Sequence, residues 1–296
     1  MKKIDRDSSY EEVLRYGEEL LQKAQIEDAK LDAWYLMEYC FHIDRVSFLL
    51  DKTAPAGEAV EKYIFLIEQR ASHIPLQHLT GEQEFMGYTF KVSPDVLIPR
   101  QDTETLVEQV VEYTRKNYSK YTQNAEDTQP IRILDMCTGS GCIAISLKLQ
   151  LSEYVTECTG VDVSKAALEV AKENARRNEA KVTFKESNLF DDIFENYDII
   201  VSNPPYIASK EVDELMPEVR LHEPRLALDG TEDGLFFYRK IVAEGTKHLK
   251  SGGALFFEIG YDQKEAVSTL LREAGYKEIK AIKDLAGKDR VVFGKK

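Results

Sequence analysis

The tetrapeptide Asn203-Pro204-Pro205-Tyr206 carries the residue types best suited to chemistry in this 296-residue chain. It follows an apolar run over 197–202, which is typical of a buried strand. Because each proline fixes its own φ and has no N–H, the loop presents carbonyl acceptors that have little freedom to turn away. Two acceptors can face the two N–H bonds of a planar –NH2 group, in an amide or an amino-base, and Tyr206 adds an aromatic face. The alternative interpretation is a proline turn that only closes the strand.

A second loop of the same topological kind lies upstream. Residues 131–136 are predicted to form a strand, 137–141 a turn of small residues, and 142–147 the start of a helix. Such a unit binds nucleotide-like ligands in open α/β sheets, because small residues let the backbone approach and the helix offers free N–H groups. The turn lacks the G-x-G-x-x-G spacing of a dinucleotide fingerprint, and the sequence has no G-x-x-x-x-G-K-[ST] phosphate loop.

Asp162 directly follows the next predicted strand, at 156–161. A carboxylate at this strand end can accept both hydroxyls of a ribose. It can also cap a helix that starts with Ser164, and the two roles are compatible.

In this order, the three motifs resemble those of class I S-adenosylmethionine-dependent methyltransferases that act on nitrogen. N-P-P-Y alone is shared with DNA and RNA amino-methyltransferases. The segment Ile98–Glu104 is similar to the I-P-R-P-E-T-E segment of one family, the release factor glutamine methyltransferases, as are Leu79–Phe85, Phe257–Tyr261 and Asp284–Val292. The resemblance extends from about residue 75 to the carboxyl end and is weaker before it.

This resemblance implies a substrate and a set of site residues. S-adenosylmethionine would give its methyl group, leaving S-adenosylhomocysteine, to the side-chain amide nitrogen of the glutamine in the GGQ motif of class 1 peptide chain release factors. Asn203, Pro204 and Tyr206 would be catalytic, and with Pro205 would bind the substrate. The implied cofactor-binding residues are Asp135, Cys137, Thr138, Gly139, Ser140, Gly141, Asp162, Asn188, Leu189 and Asn203. Arg100 and Glu104 resemble a family pair that would fix the loop above the cofactor, and the alternative is an interdomain salt bridge.

Two positions depart from the family pattern. Cys137 stands where the family usually has glycine, and Asn188 where it usually has aspartate. A cysteine fits there only if its φ is negative and its thiol finds space, so we expect a negative φ at Cys137. Asn188 keeps an acceptor oxygen for an adenine amino group but loses the charge.

The composition is that of an ordinary soluble globular protein, with 43% apolar and 31% charged residues. A formal net charge of −13 disfavours direct nucleic-acid binding. The four cysteines and five histidines lack metal-ligand spacing, so we expect reduced thiols and no metal. The amino terminus has no signal-like apolar stretch and no apolar run reaches about eighteen residues, so we expect a cytoplasmic protein without a membrane segment. We also expect a monomer.

The expected architecture is α/β, with a doubly wound, mostly parallel seven-stranded sheet of the class I methyltransferase, Rossmann-like type. Predicted strands at 131–136, 156–161, 181–185, 197–202 and 253–259 alternate with helices, as in a parallel sheet. The closing antiparallel pair, near 276–283 and 289–294, is implied by the resemblance. The predicted domains are a helical substrate-recognition bundle at 1–74, a β-hairpin linker at 75–98 and the methyltransferase domain at 99–296. Residues 119–129 are predicted to form a surface loop.

Two other functions are compatible with the motifs. An adenine N6-methyltransferase would use the same loop of hydrogen-bond acceptors, Asn203–Tyr206 (the acceptor loop), on a base flipped out of nucleic acid. It would also need a basic cleft. A non-catalytic module that binds an adenosine ligand is the other alternative, although the intact acceptor loop argues against it.

Overall fold

The structure, a computed structural model, describes residues 3–119 and 129–296. The chain divides into two compact units, one of Met1–Gly81 with Met216–His222 and one of Glu82–Leu215 with Glu223–Lys296. The loop predicted at 119–129 lies almost wholly outside the described residues. The predicted assignment of functions to domains stays a prediction.

The helices and strands of the described residues are as follows. The helices are α1 Tyr10–Lys23, α2 Ala29–Phe41, α3 Arg45–Asp51, α4 Val60–Ala71, α5 Leu76–Thr80, α6 Gln101–Asn117, α7 Cys142–Gln150, α8 Lys165–Arg177, α9 Ser209–Val212, α10 Pro217–His222, α11 Phe236–His248 and α12 Lys264–Glu273. The strands are β1 Glu82–Phe85, β2 Tyr88–Lys91, β3 Ile131–Met136, β4 Thr156–Asp162, β5 Val182–Glu186, β6 Tyr197–Ser202, β7 Leu249–Glu258, β8 Lys277–Lys283 and β9 Asp289–Lys295.

The first unit is a helical bundle around one apolar core. Helix α1 begins at a capping box, in which the Ser9 hydroxyl accepts the Glu12 N–H and the Glu12 carboxylate accepts the Ser9 N–H. A buried ion cluster lies beside the core. Arg70 Nε donates to Asp32 Oδ2 at 2.6 Å, and Arg70 Nη2 donates to Glu218 Oε1 of α10 at 2.6 Å. The two carboxylates compensate the desolvation of a guanidinium that is 4% exposed.

Within the described residues, the second unit contains a seven-stranded sheet in the order β5-β4-β3-β6-β7-β9-β8. The first five strands of this order are parallel, and β9 runs antiparallel to both β7 and β8. This is the predicted fold, a class I methyltransferase sheet. The chain leaves β3 on one side towards β4 and β5 and returns on the other side at β6, so the topological switch point lies between β3 and β6.

The central strands of the sheet are buried on both faces, and β3 shows how the sequence achieves this. Ile131 and Ile133 contribute to one core cluster, whereas Leu134 and Met136 contribute to the other. Since successive side chains of a strand point to opposite faces, an apolar run suits a strand that is covered on both sides. The covering helices are α6 and α7 on the first face and α11 and α12 on the second.

The hairpin predicted between residues 75 and 98 consists of β1 and β2, and the preceding Leu76–Thr80 is helical. Met86 and Gly87 form its turn with φ of 53° and 77°, the left-handed pair that a two-residue hairpin loop requires. Asn174 of α8 holds the end of β2, since its side chain bonds both the N–H of Lys91 at 2.6 Å and its carbonyl at 3.0 Å. The hairpin is thereby fixed to the sheet domain.

Candidate active site

A pocket opens at the carboxyl ends of β3, β4, β5 and β6, at the switch point of the sheet. Parallel strands end at the same edge, so the four loops that follow them meet there. The segments before and at the start of α6, the residues that follow Glu223 and the beginning of α11 complete the wall. The predicted site residues on this wall are Arg100, Cys137, Thr138, Gly139, Ser140, Asp162, Asn188, Leu189, Asn203 and Pro205. Among the described residues, the remaining predicted ones lie off the wall, namely Glu104, Asp135, Gly141, Pro204 and Tyr206.

Asp135 supports the first loop from below. Its Oδ2 accepts the Thr138 hydroxyl at 2.5 Å and the Ala144 N–H at 3.2 Å, which ties the turn to the start of α7. The carboxyl is fully buried, and burial raises its pKa to about 7. Asp135 therefore shapes the turn from behind, and the cofactor contact predicted for it stays a prediction.

Cys137 adopts a φ of 61°, so the expected negative φ is wrong. The turn closes with three left-handed residues, Cys137, Gly139 and Gly141, because the backbone must reverse tightly between β3 and α7. A side chain in this conformation costs on the order of 1 kcal/mol relative to glycine. Burial raises the pKa of the Cys137 thiol, so the thiol is neutral.

Asp162 lines the pocket at the end of β4, and its carboxylate already accepts two backbone N–H groups. One oxygen accepts the Gly139 N–H at 2.9 Å and the other accepts the Ser164 N–H at 2.9 Å. Each oxygen keeps a second lone pair that can accept a hydroxyl. The helix cap that we predicted at Asp162 is instead Ser164, whose hydroxyl accepts the Ala167 N–H at 3.2 Å.

The loop after β5 presents one polar group to the pocket. Asn188 donates through Nδ2 to Asp191 Oδ2 at 3.1 Å, and this bond orients Oδ1 as the remaining acceptor. The buried Ser187 hydroxyl donates to the Leu189 carbonyl at 2.8 Å and accepts the Asp192 N–H at 3.0 Å. A fixed turn therefore places Asn188 and Leu189 on the wall.

Asn203 stands at the end of β6 and faces the start of α6. Its Nδ2 donates to the Thr103 hydroxyl at 3.4 Å, which leaves Oδ1 without a hydrogen bond to any described residue. A carbonyl oxygen is thus available at the wall of the pocket, where it can accept an N–H bond of a ligand. Pro204 and Pro205 are buried, which holds the loop backbone in place.

Tyr206 turns away from the pocket. Its hydroxyl lies 3.4 Å from Glu258 Oε1, and its ring packs on the second core cluster. Phe237 of α11 supplies an aromatic ring to the wall instead. The contact predicted between Tyr206 and the substrate amide therefore stays a prediction.

Gln263 and Gly234 hold the backbone of the acceptor loop in place. Gln263 Nε2 donates to the Tyr206 carbonyl at 2.9 Å, and its Oε1 accepts the Gly260 N–H at 3.0 Å. Gly234, with φ of +70°, packs so closely that a Cβ atom there would lie 2.3 Å from the Tyr206 carbonyl oxygen. Close packing of this kind fixes where the loop carbonyls point.

Arg100 and Glu104 do not pair with each other. Arg100 forms an ion pair with Glu223, which is buried and also accepts the Ile98 N–H at 3.4 Å. Glu104 accepts the Met86 N–H of the hairpin turn at 2.6 Å. Arg100 thus secures the segment before α6 to the residues that follow α10, while Glu104 anchors the hairpin.

Sequence reasoning missed Thr103, Glu223, Phe237 and Gln263. Thr103 lies inside the Ile98–Glu104 motif, so its position carried a signal, but its partner Asn203 is 100 positions away. Glu223, Phe237 and Gln263 stand in segments without a recognisable motif, and only the folded chain brings them to the loop.

Two kinds of feature, membrane-spanning helices and metal-binding clusters, are absent from the described residues. No helix in residues 3–119 and 129–296 is long and apolar enough to cross a membrane. In the same residues, no cluster of three acidic, cysteine or histidine side chains is arranged to hold a metal.

The sheet order, the pocket at its switch point and the acceptor loop define a class I methyltransferase. A solved structure described as human methyltransferase 10 domain containing protein has this fold, with a TM-score of 0.50, 19% identity, and coverage of 71% of this chain and 90% of that chain.

Two family models match the sequence. The first is described as the PrmC N-terminal domain, over residues 12–81, and the second as the methyltransferase small domain, over residues 121–229. The release factor glutamine methyltransferase of Geobacter sulfurreducens is 38% identical over 285 residues, covering 96% of this chain and 95% of that protein. That of Clostridium botulinum is 38% identical over 292 residues, covering 96% and 98%. The chain belongs to the release factor glutamine methyltransferase family.

Proposed function

We propose that this protein transfers a methyl group from S-adenosylmethionine to the side-chain amide nitrogen of the glutamine in the GGQ motif of class 1 peptide chain release factors. The observation that carries the proposal is the orientation of Asn203. Its Nδ2 is engaged by Thr103, so a free carbonyl oxygen faces the pocket at the switch point of a methyltransferase sheet. This oxygen matches the N–H bond of an amide, and the family supplies the identity of the amide.

The residues around the pocket fit the cofactor. The free lone pairs of Asp162 suit two ribose hydroxyls, and the Oδ1 atom of Asn188 suits the amino group of adenine. The backbone of Cys137–Ser140 lines the pocket without a bulky side chain, so it allows close approach. When bound, S-adenosylmethionine supplies a methyl group on a positively charged sulfur, which is already activated for displacement.

The protein must then make a poor nucleophile reactive, because the lone pair of an amide nitrogen is delocalised into its carbonyl. The Asn203 side-chain oxygen, at the wall of the pocket, would accept one N–H bond of the amide and favour the positive charge that builds up on nitrogen. The Pro204 carbonyl, in a residue that lies off the wall, is the acceptor proposed for the other N–H bond. The same two bonds orient the amide, which is the larger part of the task when the methyl group is already activated. One N–H proton then passes to water.

The proposed partner, the release factor, is a protein. The enzyme itself is proposed to act in the cytoplasm as a monomer. The four cysteines are free, as expected in a reducing compartment. A net charge of −13 disfavours a nucleic-acid substrate, whose phosphates bind basic surfaces.

The test is incubation of the purified protein with labelled S-adenosylmethionine and either a class 1 release factor or duplex DNA. Mass spectrometry of the treated factor should show one added methyl group on the GGQ glutamine, and replacing that glutamine should abolish it. Label in adenine of the DNA, with none in the factor, would refute the proposal and favour the adenine methyltransferase.

A further inference from the structure

Gln263 occupies the N-cap position of α12, but its side chain does not cap the helix. Serine, threonine, aspartate and asparagine are preferred at this position, because their side chains accept the free N–H groups of the first turn. The Gln263 amide instead reaches back to the groups around the acceptor loop. The reason for a glutamine at this position therefore lies in the site and not in the helix.

Both ends of the Gln263 amide are engaged. Its Nε2 donates to the carbonyls of Tyr206 at 2.9 Å and Gly234 at 3.4 Å. Its Oε1 accepts the Gly260 N–H at 3.0 Å and lies 3.3 Å from the Tyr238 hydroxyl. Since backbone carbonyls only accept and a backbone N–H only donates, the amide makes these bonds in one orientation only. A single side chain thus joins the acceptor loop, the turn before α11, α11 itself and the end of β7.

Two of the segments that Gln263 joins also supply the wall of the pocket. The acceptor loop contributes Pro205 and α11 contributes Phe237. These wall residues directly precede Tyr206 and Tyr238, the groups that Gln263 contacts in the same two segments. Gln263 therefore links the loop that carries the proposed amide acceptors to the helix that carries an aromatic ring of the wall.

The acceptor loop is also closely packed by two glycines. A Cβ atom at Gly230 would lie 2.8 Å from the Tyr206 Cα and 2.9 Å from the Pro205 carbonyl oxygen, and one at Gly234 would lie 2.3 Å from the Tyr206 carbonyl oxygen. Because Pro204 and Pro205 each fix their own φ, the loop has little freedom to deform locally. A displacement of the Tyr206 carbonyl is therefore passed on to the Pro204 carbonyl, the acceptor proposed for the second N–H bond.

We propose that Gln263 is a positioning residue for methyl transfer, which aligns the acceptor loop with the substrate amide by holding the Tyr206 carbonyl. This inference rests on the proposed function. Gln263 is not among the described residues that line the pocket, so it acts through the loop and not on the substrate or the cofactor. Its replacement should lower kcat and leave ligand binding by the loops after β3, β4 and β5 nearly unchanged.

The test compares three variants with the wild type in steady-state methylation of the release factor. Gln263→Met keeps the length of the side chain without its donor, and should lower kcat about tenfold or more, the scale of leaving a carbonyl without its hydrogen bond. Gln263→Glu should do the same at about pH 8, because an ionised carboxylate only accepts and would face two carbonyls. Gln150→Glu is the matched control. It adds the same charge at a half-buried glutamine that donates to the Tyr88 hydroxyl at 3.5 Å, at the end of α7 far from the pocket.

A pH profile distinguishes alignment of the loop from general packing. When protonated, the carboxyl of Gln263→Glu has one O–H donor and one acceptor oxygen, so it can again donate to the Tyr206 carbonyl. The two carbonyls that face it disfavour its ionised form and raise its pKa. The ratio of its kcat to that of the wild type should therefore rise as the pH falls from about 8 to about 5.5, whereas the ratios for Gln263→Met and Gln150→Glu should stay constant. The titratable groups around this position are present in both proteins, so their effects cancel in the ratio; they are Tyr206, Tyr238, Glu258 and Asp262.

A merely structural role would give a different result. The dissociation constant of S-adenosylhomocysteine, measured by calorimetry, should stay within about threefold of the wild-type value in both Gln263 variants. Wild-type kcat in Gln263→Met, loss of kcat only in proportion to loss of ligand binding, or a Gln263→Glu ratio that does not change with pH would each overturn the proposal. Since Gln263→Glu is compared at two pH values, its result does not depend on the stability of Gln263→Met.

A second readout does not depend on the substrate. The side-chain NH2 resonances of Asn203, assigned by their disappearance in Asn203→Ala, should shift in Gln263→Glu at about pH 8 and return towards the wild-type position at about pH 5.5. They should remain unshifted in Gln150→Glu. Unshifted resonances in Gln263→Glu would refute the alignment. If the wild type leaves the release factor unmethylated while Gln263→Glu shows the reversible shift, the proposed function is refuted and the alignment of the loop stands.

Discussion

At the scale of single residues, the site depends on one acceptor. Asn203→Ala removes the oxygen that faces the substrate but leaves β6 and both prolines in place. We expect turnover to fall about a hundredfold or more, as when one preorganised polar group is lost at a reacting centre. Steady-state kinetics with the release factor measure this, and calorimetry with S-adenosylhomocysteine should show a much smaller change. Turnover close to that of the wild type would rule out Asn203 as the acceptor.

Replacement of Cys137 should improve the protein, whereas replacement of Asn203 should impair it. Because its φ is 61°, Cys137→Gly should raise the free energy of unfolding by about 1 kcal/mol, partly offset by the greater entropy of the unfolded glycine chain. Cofactor affinity should be equal or slightly higher. Urea unfolding measures the first and calorimetry the second.

Cys158→Gly serves as the control for this prediction. Cys158 is buried within β4 and does not have a positive φ, so the same replacement there should destabilise the protein. A Cys137→Gly variant that is as destabilised as Cys158→Gly would mean that the Cys137 side chain makes a contact worth more than the strain.

At the scale of elements, the sequence predicted the sheet well where the strand is buried on both faces. The observed bounds of β3 and β6, Ile131–Met136 and Tyr197–Ser202, are those predicted, because uninterrupted apolar runs end at polar loops. Strand β7 begins at Leu249, four residues before its predicted start. Gly252 has a φ of 77°, which lets the strand continue through a register shift in its pairing with β6. In the sequence alone, this glycine is typical of a turn.

The site was predicted less completely than the sheet, for a physical reason. The loops that carry motifs were located, since a strand, a turn and a helix are local in sequence. The pairs Arg100 with Glu223 and Tyr206 with Glu258 join positions 123 and 52 residues apart, and a single charged residue gives no sign of its partner. The left-handed φ of Cys137 likewise follows from the tight connection between β3 and α7. The sequence does not reveal it, because a cysteine, unlike a glycine, gives no sign of a positive φ.

Gly234 tests whether close packing positions the acceptor loop. Gly234→Ala adds a Cβ that would lie 2.3 Å from the Tyr206 carbonyl oxygen, so the loop must move and kcat should fall at least tenfold. Gly252→Ala is the matched control, because its φ of +77° costs a similar amount while its Cβ would meet nothing within 4 Å. Melting temperatures of both variants measure the shared backbone cost, and kinetics measure the difference. Equal activities would show that the loop position is not set by this contact.

At the scale of the whole molecule, Asp135 makes stability depend on pH. Burial raises its pKa from the ordinary 3.8 to about 7, so the folded protein holds this proton more tightly than the unfolded chain. The resulting stability is fully present below about pH 3.8 and is lost as pH rises through about 7. Asp135→Asn lacks this loss, so its free energy of unfolding relative to the wild type should rise by on the order of 2 kcal/mol between pH 5 and pH 8.

Urea unfolding of both proteins at the two pH values measures this difference, in which other titrating groups cancel. The exposed Asp51→Asn variant controls for the loss of one negative charge. A constant gap between Asp135→Asn and the wild type across this range would mean that the buried carboxyl titrates in the folded protein as it does in the unfolded chain.

The ion cluster of Arg70 has a consequence for the order in which the chain becomes stable during synthesis. Arg70 and Asp32 emerge from the ribosome early, whereas Glu218, the second carboxylate on Arg70, follows 148 positions after it. Until then the nascent amino-terminal bundle holds a desolvated guanidinium with one of its two counter-charges, which is costly for a buried cation. We therefore expect the bundle to reach its final stability only after residue 222 has been translated, late for a unit that begins at the amino terminus. Because a large part of the second unit is translated before the last segment of the first, the first unit becomes fully stable only while the second is being completed.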